Sequence, residues 1–272
     1  MDCVADMLGC GRTLALVIVL RFPLASMRES NLDTPRNIES LSVRFDEVRR
    51  RIESSARSNG RTPDEITLIA VSKTHPAQVL RQIIEAGAND LGENRVQEAE
   101  AKIVELGGMR ARWHLIGRLQ SNKARRAAKL FDYVHSIDSV SLIERLERAC
   151  VEEGRDELRV LIQIDLSGEA TKSGAGEDEV PGLVDALDAC ERLRLVGLMT
   201  LPPFFESAER ARPFFRRLRE LRDEFHARGA FKEGKGELSM GMSHDYEVAI
   251  EEGATMVRIG TAIFGARSSA TA

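Results

Sequence analysis

Residues 66–74 read I-T-L-I-A-V-S-K-T, six largely apolar, β-favouring residues that run without a charge into Ser72 and Lys73. Pro63-Asp64 precede the run and Pro76 follows it. A short apolar stretch bounded in this way predicts a strand buried on both faces. Lys73 then stands at the end of a rigid element, beside apolar neighbours. Desolvation disfavours an ammonium ion, so a lysine held there can serve as a neutral, nucleophilic amine. The plainer alternative is a side chain that lays its stem along the strand end and carries its charge to water.

Working outward, the residues before this strand repeat with a different period. Ile38, Leu41, Phe45, Val48 and Ile52 step by three and four, an amphipathic helix stopped by Asn59-Gly60. Beyond Lys73 the pattern alternates. Strands are expected at 90–92, 113–117, 133–137, 158–166, 195–199, 237–240 and 256–259. Helices are expected at 76–85, around 96–103, and at 119–130, 140–150, 180–190 and 243–252. A long helix is marked by Phe214, Leu218, Leu221 and Phe225. Eight strands alternating with helices, and no linker between halves, predict an α/β fold: a closed (β/α)8 TIM barrel with an extra N-terminal helix. A doubly wound open sheet is the competing arrangement, but no G-x-G-x-x-G follows any strand.

Residues 1–34 do not share this pattern. Leu14–Leu20 is apolar but too short to span a membrane. Asp2 and Asp6 spoil the basic region that a signal peptide needs. The expectation is a disordered extension, with Met27 as a candidate true start, ahead of one domain over 35–268. The 238 residues from 35 onward are close to the roughly 250 of a typical barrel.

Composition narrows the function classes. A net charge of −4 argues against a generalised nucleic-acid surface. Two Tyr and one Trp are too few for an aromatic platform stacking single strands. Cys3, Cys10, Cys150 and Cys190 form no C-x-x-C pair and have no histidines at ligand spacing. Neither a disulfide framework nor a metal site is expected, and a reducing cytoplasm fits. Cys150 and Cys190 fall in helical patterns as small core residues. His114 and His135 lie on strands and read as barrel-lining residues rather than ligands. Lys123-Ala124-Arg125-Arg126 reads as a solvated basic face.

In a barrel, the strand ends and the loops after them make the active face. Those positions hold Lys73, Asn94, Met199, Ser243 and the Gly260-Thr261 turn. The loops after the seventh and eighth strands are the usual phosphate site of this architecture. Ser243 is expected to cap the helix that follows, leaving free N–H groups for a phosphate, although for the serine alone plain capping is the better account. Arg258 is unusual inside a Val/Ile strand, and a buried guanidinium needs partners. An imine-forming lysine, a phosphate cradle and an interior arginine on one barrel mouth suit pyridoxal 5′-phosphate (PLP). Lys172, in the Gly/Ser-rich loop 167–176, is the rival lysine, but a loop holds a nucleophile less firmly than a strand does.

The segments A-V-S-K-T (70–74), G-E-N-x-V-Q-E (92–98), H-x-I-G-x-L-Q-x-N-K (114–123), L-S-M-G-M-S-x-D (238–245) and V-R-I-G-T-A-I-F-G-A-R (257–267) resemble the YggS/PROSC pyridoxal phosphate homeostasis family. The resemblance runs from about residue 37 to 267. It implies a barrel of the alanine racemase N-terminal-domain type, with PLP held as an aldimine on Lys73. It also implies phosphate contacts from Ser243, Gly260 and Thr261, Arg258 at the ring nitrogen, and Asn94 and Met199 lining the cofactor. Arg95 stands where this family usually has Tyr, and Arg118 where it has Pro or His; His244 and Tyr246 also vary the pattern. These departures touch the rim of the site.

An arginine at the pyridine nitrogen leaves it unprotonated, and the ring is then a poor electron sink. Related racemases add an acid/base residue from a further β-domain, and the sequence stops a few residues after Arg267. A positioned acid or base is worth about 10²–10⁴-fold in rate. The expectation is therefore a PLP holder and distributor with no catalytic residues, whose partners are PLP and PLP-dependent apo-enzymes, with neither nucleic acid nor membrane involved. The alternatives are a catalytic, racemase-like PLP barrel and a Schiff-base aldolase without PLP.

Overall fold

The strand that opens the barrel, β1 (Thr67–Val71), hydrogen-bonds in parallel to both the second strand and the last. In a computed structural model, which describes residues 34–168 and 173–265 and side chains from residue 41, the eight strands close into one barrel in chain order. After β1 come β2 (Asp90–Glu93), β3 (Arg112–Leu115), β4 (Tyr133–Ile137), β5 (Leu158–Ile164), β6 (Leu193–Thr200), β7 (Glu237–Met242) and β8 (Met256–Ile259). The helix α1 (Thr34–Ser58) precedes the barrel. Between strands lie α2 (Ala77–Glu85), α3 (Val96–Leu106), α4 (Ala124–Leu130), α5 (Val140–Glu152), α6 (Val180–Asp188), α7 (Arg212–Ala227) and α8 (Tyr246–Glu251), with α9 (Thr261–Phe264) after β8. The expected architecture holds, including the extra helix. Most of residues 1–34, and Lys172 and Arg267, lie outside the described residues.

Alternate residues of each strand face opposite ways. The outward set, including Ala70, Leu91, Leu115, Val134 and Val257, packs with the apolar stripes of the helices in one continuous core. The inward set is mixed. Ile69, Tyr133, Leu161, Met199 and Met256 form a small apolar cluster of their own. Asp90, His114, His135, Ser239 and Arg258 are also buried, and they bond to one another across the interior. A barrel interior normally holds layers of branched apolar side chains, so this polar line is a feature to be explained.

Several boundaries differ from the sequence reading for local reasons. β1 stops at Val71, two residues before Lys73. The 119–130 helix divides into a 3-10 turn, Ser121–Lys123, and α4. β5 ends at Ile164 because Asp165 accepts hydrogen bonds from the N–H and Oγ of Ser167, which turn the chain. The helix expected from Ser243 begins at Tyr246, with Asp245 in the cap position accepting from the Met242 N–H at 2.7 Å. Cys150 is buried in α5, and Cys190 follows α6 with its thiol bonded to the Ala186 carbonyl. Burial pushes both thiols up to about 11.

Candidate functional site

At the C-terminal ends of the strands lies a cavity of about 690 Å³. Lys73, Asn94, Ser243, Arg258, Gly260 and Thr261 all line it. Met199 does not: its inward side chain is fully buried with Ile69, Leu161 and Met256, in a cluster that packs against Leu201. Met199 supports the barrel interior, while Leu201, two residues further along, reaches the cavity.

Lys73 is held by its neighbours on both sides. The ladder continues past β1, since the Ser72 N–H bonds the Gly92 carbonyl at 3.0 Å. The Ser72 hydroxyl donates to Glu93 Oε1 at 2.6 Å. From α3, Lys102 Nζ donates to the same carboxylate oxygen at 2.7 Å and to the Ser72 carbonyl at 2.9 Å. Desolvation raises the Glu93 carboxyl, opposed by Lys102 and Ser72. After Lys73 comes Thr74, at φ +68°. A β-branched residue there is strained by about 1–3 kcal/mol. Its N–H donates to Glu98 Oε1 at 2.7 Å, and Lys102 lies 3.6 Å from the same carboxylate. One helical face therefore fixes the turn through Glu98 and the strand end through Lys102, the i, i+4 spacing making both possible. The Lys73 amine has no ion pair or hydrogen bond among the described residues and is half-buried at the cavity.

His75 completes this side, its ring stacked on Phe264 at 4.7 Å. Burial first, and the Lys102 charge second, hold its imidazole below the usual value. Asn94 is positioned by close packing: a Cβ on Gly117 would lie 2.4 Å from the Asn94 carbonyl oxygen, so only glycine lets the chain just after β3 pass.

Across the cavity, Ser243 does not cap α8. Its hydroxyl oxygen instead accepts the N–H groups of Gly260 at 3.1 Å and Ala262 at 3.3 Å, gathering the start of α9. Gly260 has φ −113°, which any residue adopts. A Cβ built there would meet nothing closer than Val71 at 3.6 Å, itself a cavity residue. Neither strain nor protein packing calls for glycine, whereas an occupant of the cavity approaching the backbone would.

Arg258 is buried on β8, where Nη1 donates to Ser239 Oγ and Nη2 to the Thr200 carbonyl at 2.9 Å. Desolvation pushes it down to about 10, the nearby Asp245 opposing the fall, so it stays a cation at neutral pH. Burial raises the Asp245 carboxyl. A half-buried primary amine, a serine-and-glycine turn and a buried guanidinium thus ring one cavity. The residues fit an aldehyde-bearing, phosphorylated pyridine such as PLP.

The sequence profile described as alanine racemase, N-terminal domain, matches residues 46–268. The pyridoxal phosphate homeostasis protein of Pseudomonas aeruginosa is 44% identical over 232 residues, covering 85% of this chain and 97% of that one. The chain belongs to this family. Its Escherichia coli member is 45% identical over 224 residues, covering 81% of this chain and 94% of that one. The family's PipY from Synechococcus elongatus, solved with PLP bound, is 37% identical with a TM-score of 0.70 and covers 83% of this chain and 100% of that one. Alanine racemase from Corynebacterium glutamicum, 21% identical with a TM-score of 0.59 over 85% of this chain and 61% of its own, shares the fold.

Sequence reasoning missed the supports. Glu93, Glu98 and Lys102 lie inside or beside the motif 92–98, and the i, i+4 pair Glu98/Lys102 was a readable signal. Asp90 and Ser239 stand at inward positions of strands, where a polar residue calls for a partner. The basic run at 123–126 is solvated, Arg125 pairing with Glu153 and Arg126 with Glu100. Among the described residues there is no metal-ligand cluster, and no helix is long and apolar enough to cross a membrane.

Proposed function

We propose that this chain binds PLP covalently through Lys73 and takes part in PLP homeostasis, holding the cofactor and passing it to cytoplasmic apo-enzymes. The observation that carries this is the convergence of Lys73, Arg258 and the Ser243–Gly260–Thr261 turn on one cavity, in a family whose Synechococcus member has been solved with PLP. PLP supplies an aldehyde that condenses with a primary amine, and a ring that withdraws electrons. The Lys73 amine is the attachment point, oriented by Ser72 and by the turn that Glu98 holds. Ser243, Gly260 and Thr261 would hold the phosphate. Arg258 would face the ring nitrogen as a donor, and a guanidinium keeps its own protons at neutral pH. That nitrogen then stays unprotonated, which weakens the ring as an electron sink and supports little or no amino-acid turnover.

Borohydride reduction of protein incubated with PLP, followed by peptide mass spectrometry, tests the site. The pyridoxyl mass is expected on the peptide containing Lys73 and is lost in Lys73→Ala. Its appearance on the peptide containing Lys172 would refute the assignment. A protein that takes up no PLP would refute the function. Exchange of the α-hydrogen of amino acids by the loaded protein, measured by NMR in deuterated water, is expected to stay near the rate of free PLP; rapid exchange would favour a racemase-like enzyme.

A further inference from the structure

Five buried side chains from five strands form one unbroken line inside the barrel. Arg258 Nη1 donates to Ser239 Oγ. Ser239 Oγ is 2.9 Å from His135 Nδ1. His135 Nε2 is 3.0 Å from His114 Nδ1, and His114 Nε2 is 2.8 Å from Asp90 Oδ1. The second carboxylate oxygen of Asp90 takes Arg112 Nη2 at 2.7 Å, where the arginine reaches solvent.

The two ends dictate every proton between them. A guanidinium only donates, and an ionised carboxylate only accepts. Each neutral imidazole has one N–H and one bare nitrogen, and the serine has one proton. A single arrangement satisfies every link: Arg258 to Ser239, Ser239 to His135 Nδ1, His135 Nε2–H to His114 Nδ1, and His114 Nε2–H to Asp90. A further proton on either ring needs a His135 Nδ1–H aimed at Ser239 Oγ, which would leave the serine proton without an acceptor in the line. Burial holds both imidazoles below their usual range, consistent with neutral rings.

We infer that Asp90, His114, His135 and Ser239 form a directed positioning relay, which joins the cavity-facing Arg258 to the Asp90 carboxylate at the start of β2, itself paired with Arg112. No carboxylate touches the Arg258 guanidinium among the described residues; its direct partners are a hydroxyl and a backbone carbonyl. A buried cation so placed is stabilised when the dipoles beside it point their negative ends toward it in sequence, and chains of hydrogen bonds polarise one another in that sense. The relay also fixes the plane of the guanidinium. Its Nη1 and Nη2 are each tethered away from solvent, so the remaining N–H groups keep one direction. The inference rests on the reading of Arg258 as a cofactor contact only for its functional consequence; the proton arrangement stands apart from it.

Long-range ¹H–¹⁵N correlation spectra of the full chain, labelled on histidine nitrogen, test the arrangement directly. At pH 7.5 both His114 and His135 are expected as neutral rings protonated at Nε2, with and without PLP. A proton on Nδ1 of either ring, alone or with Nε2, would overturn the relay, and this readout needs no folded variant. Ser239→Ala cuts the line beside Arg258, and Asp90→Asn keeps an acceptor but removes the charge. Losing the hydrogen bond to Arg258 in the first, or the charge that strengthens the line in the second, is expected to raise the Kd for PLP about 10-fold or more, with a shifted absorption band. Ser239→Thr, which retains the hydroxyl, is expected to restore both. If both variants bind PLP within about twofold of wild type with an unmoved band, the positioning role is refuted. If wild type binds no PLP, the functional reading falls while the tautomers still decide the relay.

Discussion

Replacing Lys102 with methionine probes the frame that holds Lys73. Lys102 and Glu93 are both buried, at 6% and 0% exposure, and 2.7 Å apart. Methionine retains the apolar stem and removes the charge, leaving the Glu93 carboxylate with Ser72 Oγ as its remaining donor. Glu93 Oε2 already has no hydrogen-bond partner. Breaking a buried pair by removing one member costs about 3–5 kcal/mol. At about 2–4 °C per kcal/mol for a domain of this size, Tm should fall by about 6–20 °C. The sign of the pH dependence follows from the same geometry. Glu93 is raised by burial even with Lys102 present. Without it the carboxyl rises further, so the folded state retains a proton that the unfolded chain releases above its ordinary value of 4.5. The destabilisation should therefore grow from pH 5 to pH 8. Urea unfolding across that range, with Lys102→Met/Glu93→Gln alongside, is the assay. The double variant, which buries an amide in place of a charge, should recover more than half the loss. A single-variant loss below about 1 kcal/mol, or no recovery in the double variant, would refute the reasoning.

Gly260→Ala should leave stability within about 1 kcal/mol, since its backbone is ordinary and the new methyl has room, yet weaken PLP binding in a fluorescence titration. Gly117→Ala should behave oppositely, destabilising the fold in thermal melts because its methyl meets the Asn94 backbone. Both interior histidines are depressed by burial, so the unfolded chain binds more protons below about pH 6.5. Stability should be full above that pH and decline by up to about 1.4 kcal/mol per pH unit for each ring on acidification; denaturant midpoints unchanged between pH 7 and 5.5 would count against neutral rings. Thiols raised to about 11 should keep the peptides containing Cys150 and Cys190 unlabelled by iodoacetamide in the folded protein at pH 7.5, and labelled in urea.

The barrel is legible in the residues because its strands, buried on both faces, are short apolar runs separated by helical spacing. Lys73, Ser243, Arg258, Gly260 and Thr261 are legible because they break that rule at strand ends, or, for Arg258, within one. For Met199 the strand end was less legible: β6 runs one residue further than expected, to Thr200, and the residue that lines the cavity there is Leu201. Ser243 was less legible for another reason, because its hydroxyl serves a segment 17 residues away rather than its own helix. Local spacing cannot show such a crossing. The relay was hidden for the same reason, since Asp90, His114, His135, Ser239 and Arg258 come together only when the sheet closes.

Closure also sets an order in time. The amine is carried just past β1, and the buried cation and the Gly260-Thr261 turn come from β8 and the loop after it, strands that are neighbours in space and opposite ends of the barrel in synthesis. If PLP is held as proposed, a nascent chain on the ribosome exposes the Lys73 amine early, but has nothing to receive the other end of the coenzyme until the eighth strand has emerged and docked. On the proposed function, tight retention of the vitamin-derived ligand would mark a finished molecule, and a stalled or truncated product would let it go.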